Sequence, residues 1–294
     1  MTRPRLDAEH LIERLNADTG AGLELVMLAD RGDSGGAAHV RWPDGRPGVL
    51  TTAAGAPDAG RRTARILDVV RSRGLPVPRV ALVSAVEGDT ILVQERLPGR
   101  PPSRITRATI DAMAETVERC AGLLADHPEV ANPDLHLRAS GRELCRHDTL
   151  AGYDDRSRQL LDRIRALGAD GDRMIGDDLV HLDFTPGNVL FDEYGAVTGI
   201  VDWYGHNGLA RGDRRFGLVT LRFDLAWGSA LDPEYPTVEP AALRRLDALL
   251  DAIEPATLHR YWAHMSLRMV DWTIRRHGPR DVDHQLAFAA TRLP

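Results

Sequence analysis

The sequence predicts an α+β chain of two lobes: a small β-rich N-terminal lobe over residues 1–97 and a larger, mainly helical C-terminal lobe over 98–294. Three observations carry this expectation. Short apolar runs separated by turn residues crowd the chain before residue 95. Helix-period stripes dominate after residue 106. Between them stands Leu97-Pro98-Gly99-Arg100-Pro101-Pro102, the best linker candidate. The 294 residues are enough for two lobes, and small ligands favour a cleft between lobes.

Each element has its own signal. Residues 7–18 place Leu11, Ile12 and Leu15 at helical spacing. Strand-like runs follow at 23–28, 37–42 and 47–52; a glycine-rich turn (30–36) and Pro43-Asp44-Gly45-Arg46 separate them. Residues 58–73 gather Ile66, Leu67, Val69 and Val70 among arginines, and Gly74 ends that helix. A second hairpin is expected over 80–86 and 90–94. In the C-terminal lobe, 106–125 is an amphipathic helix with Ile110, Met113, Val117, Cys120 and Leu124 on one stripe. Residues 126–145 read as loop and 155–167 as a helix. Short strands are expected at 189–191 and 197–202, then helices near 213–228, 239–253 and 257–276.

Composition narrows the function. A net charge of −6 argues against nucleic acid as a partner, because phosphate neutralisation needs a basic face. No apolar run reaches membrane-spanning length and the N-terminus lacks a signal-peptide core, so a cytoplasmic protein with no membrane partner is expected. Two cysteines, Cys120 and Cys145, give neither a disulfide framework nor a zinc site. All 37 basic residues counted as Lys or Arg are arginine. Coding bias explains that composition, yet any task normally given to a lysine must be done otherwise here.

The chemistry concentrates in His181-Leu-Asp183-Phe-Thr-Pro-Gly-Asn188 and Ile200-Val201-Asp202-Trp203. A lone Asp in a loop is more often a cap or an Asx-turn. The combination says more: an Asp, a Pro-Gly turn, an Asn, an apolar strand, then a second Asp at a strand end. Asp183 has the character of a base for a hydroxyl proton, and Asn188 and Asp202 are oxygen donors suited to Mg²⁺ on a nucleoside triphosphate. His181 is expected to brace the loop.

This motif resembles the signature of the aminoglycoside phosphotransferase family, which shares the bilobal protein-kinase-like fold. Leu75-Pro76-Val77-Pro78-Arg79-Val80, Glu95-Arg96-Leu97-Pro98-Gly99 and Gly212-Asp213 also stand where that family has similar segments. The resemblance implies a kinase that moves the γ-phosphate of ATP or GTP, with Mg²⁺, to a hydroxyl of a small molecule. It implies an antibiotic acceptor, an aminoglycoside or a cationic peptide such as capreomycin or viomycin, with resistance as the outcome. A macrolide or metabolite kinase is the alternative acceptor class. It also implies that Asp213 braces the catalytic loop and that backbone groups of Glu95 and Leu97 hold the nucleobase.

One part departs from the pattern. Such kinases hold phosphates with a strand lysine paired to a helix glutamate. Thr51 occupies the lysine position, and the 58–73 helix has no glutamate. Three readings stay open: an arginine of that helix, Arg65 first with Arg61 and Arg62 as competitors, replaces the lysine; the Ser34-Gly35-Gly36 backbone and the metal hold the phosphates alone; or the protein binds nucleotide without transferring phosphate. Against the first stands an ordinary solvated helix face. Acceptor candidates are Asp224, Asp232, Glu234 and Asp271, which would meet ammonium groups, with Trp227 and Trp272 as possible lining; ordinary surface charge and core packing are the competing readings.

Overall fold

The computed structural model describes residues 6–29, 36–53, 55–169, 171–205 and 208–294. Two compact units emerge, one comprising residues 1–100 and 190–209, the other 101–189 and 210–294.

The first unit opens with α1 (Ala8–Thr19), capped by the Asp7 side chain, which accepts from the His10 N–H, and closed by Gly20. Strands β1 (Glu24–Leu28), β2 (Ala37–Arg41) and β3 (Pro47–Ala53) follow, then α2 (Pro57–Ser72), β4 (Val80–Val86) and β5 (Asp89–Glu95). The strands form one antiparallel sheet in the order β1-β2-β3-β5-β4. Alternation gives the sheet two apolar faces. Val40, Leu50, Ile91 and Val93 pack with Ile12 and Leu15 of α1. Leu92 points the other way, toward α2, where Gly60 allows close approach. A Cβ on Gly60 would lie 3.3 Å from Leu92 Cδ2 and 3.2 Å from Val83 Cγ1.

The second unit begins with β6 (Arg104–Ile105), α3 (Arg107–Glu118), α4 (His147–Tyr153), α5 (Asp155–Leu167) and β7 (Asp178–His181). The chain then makes the hairpin β8 (Val189–Phe191) and β9 (Val197–Ile200), which clusters with the first unit. It returns through β10 (Leu209–Gly212), α6 (Phe216–Leu231), β11 (Thr237–Val238), α7 (Pro240–Asp251), α8 (Pro255–Arg276) and α9 (Pro279–Ala289). Strand β10 pairs with β7 and β11 with β6. Helix α8 is the central element of this unit and packs against α4, α5, α6 and α9. Phe223 and Trp262 are fully buried with ring centroids 4.6 Å apart. Truncating either to Ala is expected to cost about 3–5 kcal/mol.

The mixed architecture agrees with the expected α+β class, and three local expectations are corrected. The helix expected over 106–125 stops at Glu118. Gly122 has φ +62°, and the next backbone donors turn to β7 and the residue before it: Gly122 N–H bonds Asp178 Oδ1 at 2.7 Å and Leu124 N–H bonds the Asp177 carbonyl at 3.0 Å. Strand β9 ends at Ile200, so Asp202 lies beyond the strand. Helices α4 and α9 and strands β7 and β10 were not expected from the sequence. Among the described residues no helix is long and apolar enough to cross a membrane.

Candidate active site

The 181–188 loop grows out of β7, whose last residue is His181. The His181 ring is 5 % exposed, and its Nδ1 accepts the Asp183 N–H at 3.1 Å. Pro186–Asn188 form one 3-10 turn, closed by Asn188 N–H donating to the Thr185 carbonyl at 3.1 Å. That turn carries the Asn188 side chain back over the loop. Its Nδ2 donates to the Asp183 carbonyl at 2.9 Å and stands 3.5 Å from Asp183 Oδ2. With Nδ2 committed, Oδ1 is the atom of Asn188 left to meet a cation. Asp183 keeps about a third of its side chain accessible (33 %).

Asp202 belongs to the first unit. Its φ is +65°, one of four non-glycine residues in the left-handed region among those described. Such conformations cost about 1–3 kcal/mol and collect at functional sites. The neighbours hold it there. Trp203 is buried (1 % exposed) and donates Nε1–H to the Ile200 carbonyl at 2.8 Å, while Leu209 N–H bonds the Trp203 carbonyl at 3.1 Å. Ile200 N–H is anchored to the Pro76 carbonyl at 2.8 Å. The carboxylate is exposed at the head of this turn. Asn188 Oδ1 and the Asp202 carboxylate are each the kind of oxygen donor that a hard cation takes.

The nucleotide candidates separate. Ser34 and Gly35 lie outside the described residues. Gly36 has φ +87° and enters β2. Thr51 pairs directly with Leu92, so it shares the sheet face that α2 covers. The helix stripe toward that face is Gly60, Thr63, Leu67 and Val70, with no ionisable residue. The lysine–glutamate pair is therefore absent on both sides, which avoids burying one charge without the other. Arg61, Arg62 and Arg65 are exposed and line a groove of about 590 Å³ against Val80–Val83 of β4. Strand β5 separates β4 from β3, so Arg65 is not brought to Thr51, contrary to the expectation of a relocated cation. Glu95 closes β5, its N–H bonding the Arg79 carbonyl at 2.8 Å. Leu97 follows outside any strand, with no hydrogen-bond partner for its backbone among the described residues.

Of the four candidate acceptor carboxylates, Asp224 lies within α6 and Asp232 and Glu234 follow its end. Tyr235 O–H donates to Asp224 Oδ2 at 2.5 Å, and Asp232 Oδ1 accepts the Glu234 N–H at 2.9 Å. Burial and the Asp224 charge push the Tyr235 hydroxyl pKa up. Asp271 does not join them. It is fully buried with both oxygens held by Arg275, at 2.8 and 2.9 Å, because it faces the interior of the unit rather than solvent. Trp227 and Trp272 meet edge to face, centroids 4.9 Å apart, with His277 4.7 and 4.5 Å from them.

Asp213 is 8 % exposed. Burial raises its pKa, but hydrogen bonds from Arg215 and the nearby guanidinium charge outweigh that and hold it below the usual carboxylate value. Its carboxylate accepts from Arg215 and from the Tyr261 hydroxyl (3.1 Å), which ties it to α8, and neither partner lies in residues 181–188. The sequence reading missed Arg268. It donates to Asp183 Oδ1 at 3.0 Å and to the Leu182 carbonyl at 2.9 Å. A signal was there: Tyr261, Met265, Arg268 and Trp272 run 4-3-4 along α8, so a charge sits in an apolar stripe.

No curated protein sequence matches the chain. Among solved structures, a thermostable mutant of aminoglycoside phosphotransferase APH(4)-Ia in ternary complex with AMP-PNP and hygromycin B is similar at TM-score 0.64 and 18% identity, covering 96% of this chain and 97% of that one. Aminoglycoside-3'-phosphotransferase of type VIII is similar at TM-score 0.58 and 24% identity, covering 88% and 99%. Aminoglycoside phosphotransferase APH(3'')-Id from Streptomyces rimosus ATCC10970, in complex with ADP and streptomycin, is similar at TM-score 0.53 and 18% identity, covering 89% and 98%. At these identities the likeness shows the fold, that of the aminoglycoside phosphotransferases. The family model for the phosphotransferase enzyme family (APH) matches residues 31–235, more than half of the chain. The chain therefore belongs to the phosphotransferase enzyme family.

Proposed function

We propose that the protein transfers the γ-phosphate of ATP or GTP to a hydroxyl of a cationic antibiotic, an aminoglycoside in the first instance, and so confers resistance to it. The observation that carries this reading is the loop in which Asn188 holds the Asp183 carbonyl and leaves the Asp183 carboxylate accessible. Asp183 orients the acceptor hydroxyl and takes its proton as the oxygen bonds to the γ-phosphorus and the bond to the β-phosphate oxygen breaks. Asn188 and Asp202 each offer an oxygen to Mg²⁺, which when bound neutralises charge on the β- and γ-phosphates. The Leu97 backbone is free to bond a nucleobase edge.

Acceptor recognition is assigned to the end of α6. Asp224, Asp232 and Glu234 provide negative charge, and Trp227 and Trp272 provide ring faces for a sugar or an ammonium. Relatives of this fold have been solved with hygromycin B and with streptomycin, which supports an aminoglycoside acceptor.

The test is a panel of hydroxylated antibiotics incubated with Mg²⁺-ATP or Mg²⁺-GTP and read by mass spectrometry. A product heavier by one phosphoryl group is expected for at least one cationic acceptor. The neutral interface between Thr51 and α2 favours a second reading, a nucleotide-binding protein without transfer. Tight nucleotide binding with no product across the panel would establish it.

A further inference from the structure

A buried cation stands against the catalytic loop. Arg268 is 9 % exposed and its guanidinium spans two consecutive loop residues, the Leu182 carbonyl at 2.9 Å and Asp183 Oδ1 at 3.0 Å. A guanidinium is costly to bury unless paired and hydrogen-bonded. The neighbouring carboxylate on its own helix is already taken, since Asp271 is held by Arg275. Asp183 is thus the carboxylate with which Arg268 pairs.

The register of α8 fixes this placement. Two turns before Arg268, the Tyr261 hydroxyl donates to Asp213 at 3.1 Å; one turn before it, His264 Nδ1 meets the Leu135 carbonyl at 2.7 Å. The loop is thereby held from several directions. Asp183 N–H goes to His181, its carbonyl receives Asn188, and its Oδ1 receives Arg268. Oδ2 remains, with Asn188 Nδ2 only at the long distance of 3.5 Å.

We propose that Arg268 is the positioning residue of the phosphotransfer site, fixing Asp183 Oδ1 so that Oδ2 alone receives the acceptor hydroxyl. This rests on the reading of Asp183 as the base. A planar, two-pronged donor locks both the backbone and the carboxylate of the loop, which a single point charge does not. Without it the carboxylate can rotate about its side-chain bonds. Misplacement of a catalytic group by about 1 Å costs on the order of 10²-fold in rate.

The experiment compares wild type, Arg268→Ala, Arg268→Lys, Asp183→Asn and the double variant Arg268→Ala/Asp183→Asn, each checked for folding by circular dichroism. The readouts are kcat and KM for nucleotide and acceptor, with and without added guanidinium ion at non-denaturing concentration. Arg268→Ala is expected to lose about 10²-fold in kcat with nucleotide KM unchanged, and guanidinium is expected to restore part of the loss. Arg268→Lys is expected to fall between wild type and Arg268→Ala, and it stands in if the alanine variant does not fold. The double variant is expected to be no slower than Asp183→Asn, because Arg268 acts through Asp183. Wild-type kcat in Arg268→Ala, or losses that add in the double variant without rescue, would overturn the role given to Arg268 while leaving the kinase reading intact. A wild-type protein that phosphorylates no acceptor overturns the kinase reading, and this inference with it.

Discussion

The Asn188 side-chain amide donates to the main-chain carbonyl of Asp183 at 2.9 Å, so one residue can shape the loop with its nitrogen and meet a cation with its oxygen. The substitution Asn188→Asp separates these tasks. It keeps an oxygen donor and removes the N–H donor. The variant is expected to retain Mg²⁺-dependent nucleotide binding and to lose about 10- to 100-fold in kcat through misplacement of Asp183. Equal loss of binding and kcat in a titration of Mg²⁺ against rate would show that the amide nitrogen has no separate role.

Asp202 sits at φ +65°, a conformation that glycine adopts without penalty. Asp202→Gly is expected to abolish phosphotransfer while gaining about 1 kcal/mol in urea unfolding. A variant that is inactive and markedly less stable would instead assign Asp202 a structural contribution.

The His264 ring is held neutral, its pKa pushed down to about 3, chiefly by desolvation. In the unfolded chain a histidine protonates near 6.5. Between those values the unfolded state binds a proton that the folded state refuses, so acid favours unfolding. The contribution is complete above pH 6.5 and erodes as pH falls toward 3. Linkage gives up to about 2 kcal/mol between pH 6.5 and 5; because the ring keeps some surface exposure, about 1 kcal/mol is expected. His264→Gln is expected to flatten this slope in denaturant midpoints measured at pH 7 and 5. Identical slopes in both proteins would show that other groups govern it.

Gln285 of α9 is fully buried, and neither its Oε1 nor its Nε2 has a partner among the described residues. An unsatisfied buried amide costs about 1–3 kcal/mol. Gln285→Met, similar in length and apolar, is expected to raise the urea midpoint without changing the m-value. A lowered midpoint would mean that the amide is satisfied by a buried water.

Much of the first unit was legible because its signals are local. Turn residues delimit β2, β3 and β5; alternating burial marks the faces of β2 and of the first half of β3, while β5 is buried on both faces. Residues 119–125 misled because their apolar spacing is helical while two of their N–H groups, those of Gly122 and Leu124, are claimed by Asp178 of β7 and by Asp177 before it, a tertiary competition that periodicity does not encode. Helix α9 was missed, although Gly278-Pro279 and the helical spacing of Val282, Leu286 and Ala289 carried a signal for it. Asp183, Asn188 and Asp202 were singled out by type and spacing alone. Arg268 lies 85 positions from Asp183, and Asp271 pairs within its own helix, so their partners only the fold reveals.

The central claim is that Asp183 receives the proton of an acceptor hydroxyl. The most direct measurement is single-turnover phosphorylation of an identified acceptor by wild type and Asp183→Asn, with nucleotide affinity measured in parallel. Loss of about 10²- to 10⁴-fold in the chemical step, with the nucleotide Kd unchanged, is the expected result. A chemical step as fast in Asp183→Asn as in wild type would contradict it.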